Sequence, residues 1–264
     1  MIRDSISPEF PILEHDDHGA AVIEPRAVVS PIAIAPRCVL CFFEEVIARL
    51  EQQGSLRLVT ELRSTMGRHP IYEWSYDGQR VTLMHPGLGG PLAAMMLEEL
   101  IALGCRAFVA CGGAGLLDKQ AAAGALVVPV SAVRDEGTSY HYVPPSREVF
   151  ASPDAVAAIE RTLTAAGAPF ILAKTWTTDA VYRETPGTVA ARRAEGCLTV
   201  EMEAATLMAV AQFRGVPLGQ ILYGGDDVGG ARWDRREQLD RTSIRERLVH
   251  LAAEACAAIP LTGA

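Results

Sequence analysis

Residues 198–211 read Leu-Thr-Val-Glu-Met-Glu-Ala-Ala-Thr-Leu-Met-Ala-Val-Ala. The first three form an apolar start, expected as a short buried strand, and the small and apolar residues after Glu203 predict a helix. Glu201 and Glu203 therefore flank Met202 where a strand ends and a helix opens, the region where α/β proteins bind ligands. Two readings fit the spacing. Carboxylates favour the first turn of a helix through its dipole; equally, one acid can grip a polyhydroxy ligand while Met202 packs on its apolar face. A second acidic pair, Asp226-Asp227, stands in the glycine-rich run 224–230 after an apolar segment. Its bland reading is a polar turn. Its chemical reading is a proton held near neutrality by like-charge repulsion.

These acids need a frame. Residues 37–43 predict a strand and 44–53 an amphipathic helix with Val46, Ile47 and Leu50 on one face. Strands are expected at 57–62, 71–76 and 80–85, the last two joined by the hairpin signal Asp77-Gly78. A first glycine turn, residues 85–91, leads into a helix at 92–103; a strand at 106–111 leads into a second, Gly112-Gly113-Ala114-Gly115. Such glycines let backbone N–H groups approach a phosphate or sugar, and they also serve simple close packing. Neither run is a G-x-G-x-x-G or G-x-x-x-x-G-K-[ST] loop, which argues against nucleoside triphosphates. Further on come a strand at 125–133, a polar aromatic patch at 134–142, and a helix at 153–166 with Ser152 as N-cap. A strand at 171–175 precedes the polar loop 177–183; a strand at 217–223 and a closing helix at 242–258 complete the chain, with Ile244, Leu248, Leu251 and Cys256 as core residues.

Strands alternate with helices throughout, so the expectation is a single-domain, three-layer αβα fold with a mixed, mostly parallel central sheet over residues 37–264. A proline-punctuated arm, residues 1–36, precedes it and carries Glu14-His15-Asp16-Asp17-His18, expected as a solvated arm or subunit contact rather than a metal site.

With 49% hydrophobic residues, the 264-residue chain can bury a sizeable core. A formal charge of -8 argues against a nucleic-acid footprint, although local arginines keep anionic small ligands open. No apolar run approaches the roughly 20 residues of a spanning helix and residues 1–10 lack a signal pattern, so no membrane association and a cytoplasmic location are expected. Cys38, Cys41, Cys105, Cys111, Cys197 and Cys256 lie mostly in apolar segments and read as buried reduced thiols, with no metal.

Four stretches, in order, resemble the nucleoside phosphorylase and nucleosidase superfamily, which cleaves the N-glycosidic bond. They are the glycine turn 85–91, the second at 111–116, Val200-Glu201-Met202-Glu203-Ala204-Ala205, and Asp226-Asp227 after an apolar strand. The third matches the V-x-M-E-[AS]-A signature and is the most specific. The resemblance implies that Glu203 holds the ribose hydroxyls, Met202 lines the sugar, and Glu201 is a variable residue between fixed ones. Asp227, or its neighbour Asp226, would be the general acid on the base, with Arg241 assisting. Val181 and Tyr182 fall where the family walls the base, and the stretch 136–142, with His141, is similar to a uridine-phosphorylase loop. The implied fold is phosphorylase-like, the substrate a small-molecule nucleoside, the assembly a homo-oligomer (trimer or hexamer), and no cofactor beyond inorganic phosphate as co-substrate.

The acceptor side departs from the pattern. Where hexameric phosphorylases carry an arginine and a hydroxyl, this chain has Ala110 and Gly113, and Cys41-Phe42-Phe43-Glu44-Glu45 replaces their G-D-P-x-R loop. Gly89, Gly112 and Gly113 amides could bind an anion, with Arg37, Arg134 or Arg183 supplying charge and His85 hydrogen bonds. Three readings follow: phosphorolysis to free base and ribose 1-phosphate; hydrolysis, with Glu45 positioning water as in methylthioadenosine-type nucleosidases; and non-catalytic nucleoside binding.

Overall fold

The structure is a computed structural model that describes residues 10–16, 19–76, 78–118 and 125–261. Asp17, His18 and the hairpin residue Asp77 lie outside the described residues. Apolar runs buried on both faces make the central strands: Cys38, Val39, Leu40 and Cys41 of β1 (Arg37–Cys41) are all buried. Around it lie β2 (Leu56–Ser64), β3 (Gly67–Tyr76), β4 (Gln79–Met84), β5 (Ala107–Leu116), β6 (Leu126–Asp135), β7 (Glu148–Phe150), β8 (Phe170–Thr178), β9 (Cys197–Glu201) and β10 (Leu218–Asp227). They form one 10-stranded mixed sheet in the order β10-β6-β8-β9-β5-β1-β4-β3-β2, with β7 beside β6. Because β10 also pairs with β5, the strands β5, β10, β6, β8 and β9 close on themselves. This ring, with the β1–β4 strands as a flange, is what sequence periodicity did not convey.

Helices cover the sheet: α1 (Pro25–Val28, a single turn), α2 (Glu44–Gln52), α3 (Gly90–Leu103), α4 (Pro153–Ala165), α5 (Pro186–Ala194), α6 (Ala204–Arg214) and α7 (Arg241–Ala257). The α7 face expected in the core is buried at Leu248, Leu251 and Cys256, with Ile244 partly so. All six cysteines are free and buried. Burial pushes the Cys256 thiol up to about 12, and Cys38 and Cys111 also rise, so these thiols are packing groups. Ser152 occupies the N-cap of α4, but its side chain makes no capping bond; Pro153 at N1 suffices there.

Two corrections bear on function. The expected second glycine turn, residues 112–115, is extended strand, and so are Asp226 and Asp227. β5 and β10 pair in parallel from Leu218↔Phe108 to Asp227↔Leu116, with a bulge between Gly224 and Asp226. The glycines are there for close approach. A Cβ on Gly113 would stand 3.2 Å from the Tyr223 ring, and one on Gly115 3.0 Å from Val200 Cγ1. Thr177 and Thr178, expected in a loop, likewise end β8.

The arm packs on its own chain through Ile32 N–H to Leu103 O (3.0 Å) and Glu24 to Arg214 (3.3 Å), while Phe10, Val22, Ile23 and Val28 stay exposed. No helix among the described residues is long and apolar enough to cross a membrane.

Candidate active site

A gap in the sheet makes the site. β1 runs beside β5 only as far as Cys41↔Cys111, and β9 joins that same edge of β5 only at Gly115↔Val200. Between them, residues 112–114 keep β10 as their one neighbour. A cavity of about 1240 Å³ opens there, lined by Gly113, Ala114 and Gly115 below and by residues from β9, β10, α5 and α7 around it. It lies at the carboxyl ends of the parallel strands, where open α/β sheets bind ligands.

Glu203 enters this cavity because other groups cap its helix. An N-cap residue normally turns its side chain onto the first amides of the helix. Here Glu201 Oε2 accepts from Glu203 N–H (2.7 Å) and Ala204 N–H (2.6 Å), and Thr177 Oγ1 accepts from Ala205 N–H (2.9 Å) while donating to Glu201 Oε1 (2.6 Å). Glu203, at the N-cap of α6, makes no cap bond. Its Oε1 instead accepts Gly89 N–H at 2.6 Å, the amide that precedes α3. Gly89 has φ +83°, a left-handed conformation suited to glycine. Burial pushes both carboxyls up, and Glu203 is raised further by the charge of Glu201. The three donors on Glu201 favour its carboxylate form, so the proton of this pair falls to Glu203. The helices carrying the two halves, α3 and α6, are tied at their far side by a bidentate Arg214–Glu98 ion pair (2.7 and 3.0 Å).

Across β5 stands the second acidic group. Asp226, register partner of Gly115, lines the cavity and accepts Trp233 Nε1–H at 2.6 Å. Asp227 does not line it. Its Oδ1 accepts Gly229 N–H (2.9 Å), and its backbone exchanges hydrogen bonds with Asp234 (2.8 and 3.0 Å), which closes the chain after β10. Near Asp226 is Glu184, whose carboxyl meets no hydrogen-bond donor among the described residues. Burial, with help from the Asp226 charge, raises it to about 7. Arg241, first residue of α7, lines the same wall and donates to Gly225 O (3.1 Å) and Arg235 O.

The side nearest Gly113 carries Tyr223 and Arg245, the latter paired with Glu45 outside the cavity lining. Arg245 Nε donates to Tyr223 Oη (2.9 Å) and Nη1 to Glu45 Oε1 (2.5 Å), with the guanidinium over the Phe43 and Tyr223 rings. His85 stands at the same strand ends, edge-on to Phe42; its Nδ1 accepts Gly87 N–H (3.0 Å), and burial lowers its pKa.

Residues 36–259 match the family model of the phosphorylase superfamily. The chain belongs to that superfamily. A guanosine phosphorylase from Halorubrum lacusprofundi is 30% identical over 224 residues, covering 80% of this chain and 90% of that one. Two solved structures share the fold. A uridine phosphorylase from Vibrio fischeri aligns with TM-score 0.71 and 22% identity over 88% of this chain and 94% of its own. An AMP nucleosidase from Bacteroides thetaiotaomicron aligns with TM-score 0.69 and 24% identity over 86% and 89%.

Within this phosphorylase-superfamily cavity meet Met202, Glu203, Asp226, Arg241, Val181, Tyr182 and Gly113. Other expected residues lie elsewhere. Arg37 opens β1 at the opposite end of the sheet and donates to Ile259 O (3.3 Å), so it supplies no charge to the site. Arg134 is buried, its nitrogens spent on Ser139, Pro144 O, Ser146 and Val143 O. His141 is exposed on the 3₁₀ turn Thr138–His141, outside the cavity wall. Gly112 packs against Phe42, and Glu45 is held by Arg245 rather than lining the cavity. Sequence reasoning missed Arg245, one helical turn past Arg241 on the same face, and Glu184, one residue beyond the polar loop it recognised.

Proposed function

We propose that this chain cleaves the N-glycosidic bond of a nucleoside and passes the pentose to inorganic phosphate, releasing free base and a pentose 1-phosphate. The observation that carries the reading is that Glu203 and the Asp226–Glu184 pair line one cavity from the two edges of β5. As the bond breaks, the sugar gains oxocarbenium character and the base gains negative charge. Donation from the ribose hydroxyls favours the carboxylate form of Glu203, which gives up its proton and accepts them while Met202 packs on the sugar. Glu184, beside the Asp226 carboxyl, holds a proton up to about pH 7 and gives it to a ring nitrogen, so the base leaves neutral. A phosphate oxygen bonds to C1′ as the C–N bond breaks, and solvent returns the proton to Glu184. General acid help of this kind contributes typically ~10²–10⁴-fold.

Guanosine is the first substrate to try, because the guanosine phosphorylase is similar along nearly its whole length; uridine is the second. Phosphate is favoured over water because Glu45, the candidate for positioning water, is neutralised by Arg245, which holds its carboxyl below the usual range. The reading includes a cytoplasmic homo-oligomer, a trimer or hexamer; the exposed apolar side chains Phe10, Val22, Ile23 and Val28 support the arm 1–36 as a subunit contact. The test is base release from guanosine, inosine, adenosine and uridine with and without phosphate. Release from one of them that depends on phosphate supports the reading; equal release without phosphate moves the chain to the hydrolytic reading, and none at all to nucleoside binding.

A further inference from the structure

We propose that Arg245 is the cation of the phosphate site and that Glu45 is its resident counter-ion, which the incoming phosphate displaces. The inference rests on the phosphorolytic reading. An oxyanion beside Gly113 needs a positive partner, and with Ala110 and Gly113 at the expected positions β5 offers none. Of the four other arginines among the described residues lining the cavity, Arg232 precedes Trp233, the donor to Asp226, and so belongs to the Asp226 wall, while the remaining three are committed elsewhere. Arg193 pairs with Asp118 (3.5 Å), Arg241 donates to Gly225 O and Arg235 O, and Arg235 lies over the Trp233 ring (4.7 Å).

Arg245 is placed differently. Its Nε is 2.9 Å from Tyr223 Oη, and the Tyr223 ring is the surface a Gly113 side chain would meet at 3.2 Å. The guanidinium therefore sits beside the stretch of β5 that has lost a neighbouring strand. Two rings, Phe43 at 5.2 Å and Tyr223 at 5.7 Å, fix its plane. Nε and Nη1 are occupied, and Nη2 has no partner among the described residues. A guanidinium presents paired N–H groups that match phosphate bidentately. Nη2 offers one of these at once, and release of Glu45 frees Nη1 as the second.

Glu45 is suited to leaving. Its side chain is 45% exposed against 27% for Arg245, so the carboxylate can turn into water while the arginine stays between its rings. Glu45 also stands at the arginine's place in the five-residue loop that 41–45 replaces. The pair thus keeps the positive charge at the site but brings it from α7 instead of α2.

The experiment is titration calorimetry of the full chain with inorganic phosphate, on wild type, Arg245→Met, Arg245→Lys and Glu45→Gln, each checked for wild-type circular dichroism. Arg245→Met should weaken phosphate binding at least about tenfold, from the loss of charge-assisted hydrogen bonds. Arg245→Lys should fall between, and Glu45→Gln should bind more tightly than wild type because the competitor is gone. Should Arg245→Met fail to fold, the lysine and glutamine variants carry the test. Phosphate affinity of Arg245→Met or Arg245→Lys within about twofold of wild type, or weaker binding by Glu45→Gln, would overturn the proposal. Phosphate-dependent turnover with unaffected Arg245 variants ends this proposal alone. No phosphate binding by wild type, with phosphate-independent base release, ends the phosphorolytic reading and this one with it.

Discussion

Glu203 Oε1 accepts the N–H of Gly89 at 2.6 Å, joining the opening of α6 to the turn that opens α3. The carboxyl is thereby held by backbone at the cavity wall. Glu201, two residues earlier, has both oxygens engaged by its own helix and Thr177. On the proposed reading, the two acids of one motif divide between binding and structure, although both line the cavity.

Substitution separates these roles. Glu203→Gln should lower kcat/KM at least about 10²-fold, as charge-assisted contacts to two hydroxyls are lost, with little change in Tm. Glu201→Gln should instead cost about 1.5–3 kcal/mol of stability through its amide and hydroxyl donors. Steady-state kinetics beside thermal melts read both. Equal kinetic losses with unchanged melting would contradict the division.

Asp226 and Asp227 divide in the same way. Asp226→Asn should reduce kcat by roughly 10²–10⁴-fold, because it removes a carboxyl facing the base. Asp227→Asn should spare kcat and cost about 1 kcal/mol, the worth of the Gly229 hydrogen bond. Single-turnover rates with guanosine or uridine distinguish them; a larger rate loss at Asp227 would reverse the assignment.

Glu184 sets a pH limb. Raised to about 7 by burial and by Asp226, it keeps its proton below that pH and loses it above. Glu184 donates only while it holds that proton, so kcat should fall as pH rises through about 7. Glu184→Gln should flatten that limb. A profile unchanged in Glu184→Gln would exclude Glu184 as the source of that limb.

The same shift has a stability consequence. Between the ordinary value of 4.5 and about 7, the folded chain holds a proton on Glu184 that the unfolded chain has released. The contribution of Glu184 to stability therefore declines as pH rises across that window, and that of Glu203 extends the decline upward. His85 and His250, whose values burial lowers, contribute the opposite trend in both proteins, so the change in urea midpoint from pH 4.5 to 8 should be more negative in wild type than in Glu184→Gln. The same pH dependence in wild type and Glu184→Gln would contradict the assignment.

What was legible in the sequence was local. The strand–acid–helix junction at 200–205 is a short-range pattern, and its structure follows from capping and burial within a few residues. The order of Asp226 and Asp227 was not legible. Glycines at 224 and 225 read as a loop, and a loop has no parity, whereas in a strand successive side chains face opposite ways. Pairing with β5 makes this segment a strand, and parity then sends Asp226 to the cavity and Asp227 away from it. Gly112 to Gly115 were misread as a turn for the same reason. Arg245 and Glu45 are far apart in sequence and meet only because α7 packs beside α2, while Arg37 and His141 were placed by residue type and not by strand direction.

The measurement that bears most directly on the central reading is the identity of the sugar product. Purified chain is incubated with guanosine and uridine in phosphate-containing and rigorously phosphate-free buffer, and the pentose is followed by phosphorus and proton resonance. Pentose 1-phosphate formed in step with free base, and no base release without phosphate, is the expected result. Free ribose appearing at the same rate in both buffers would contradict it.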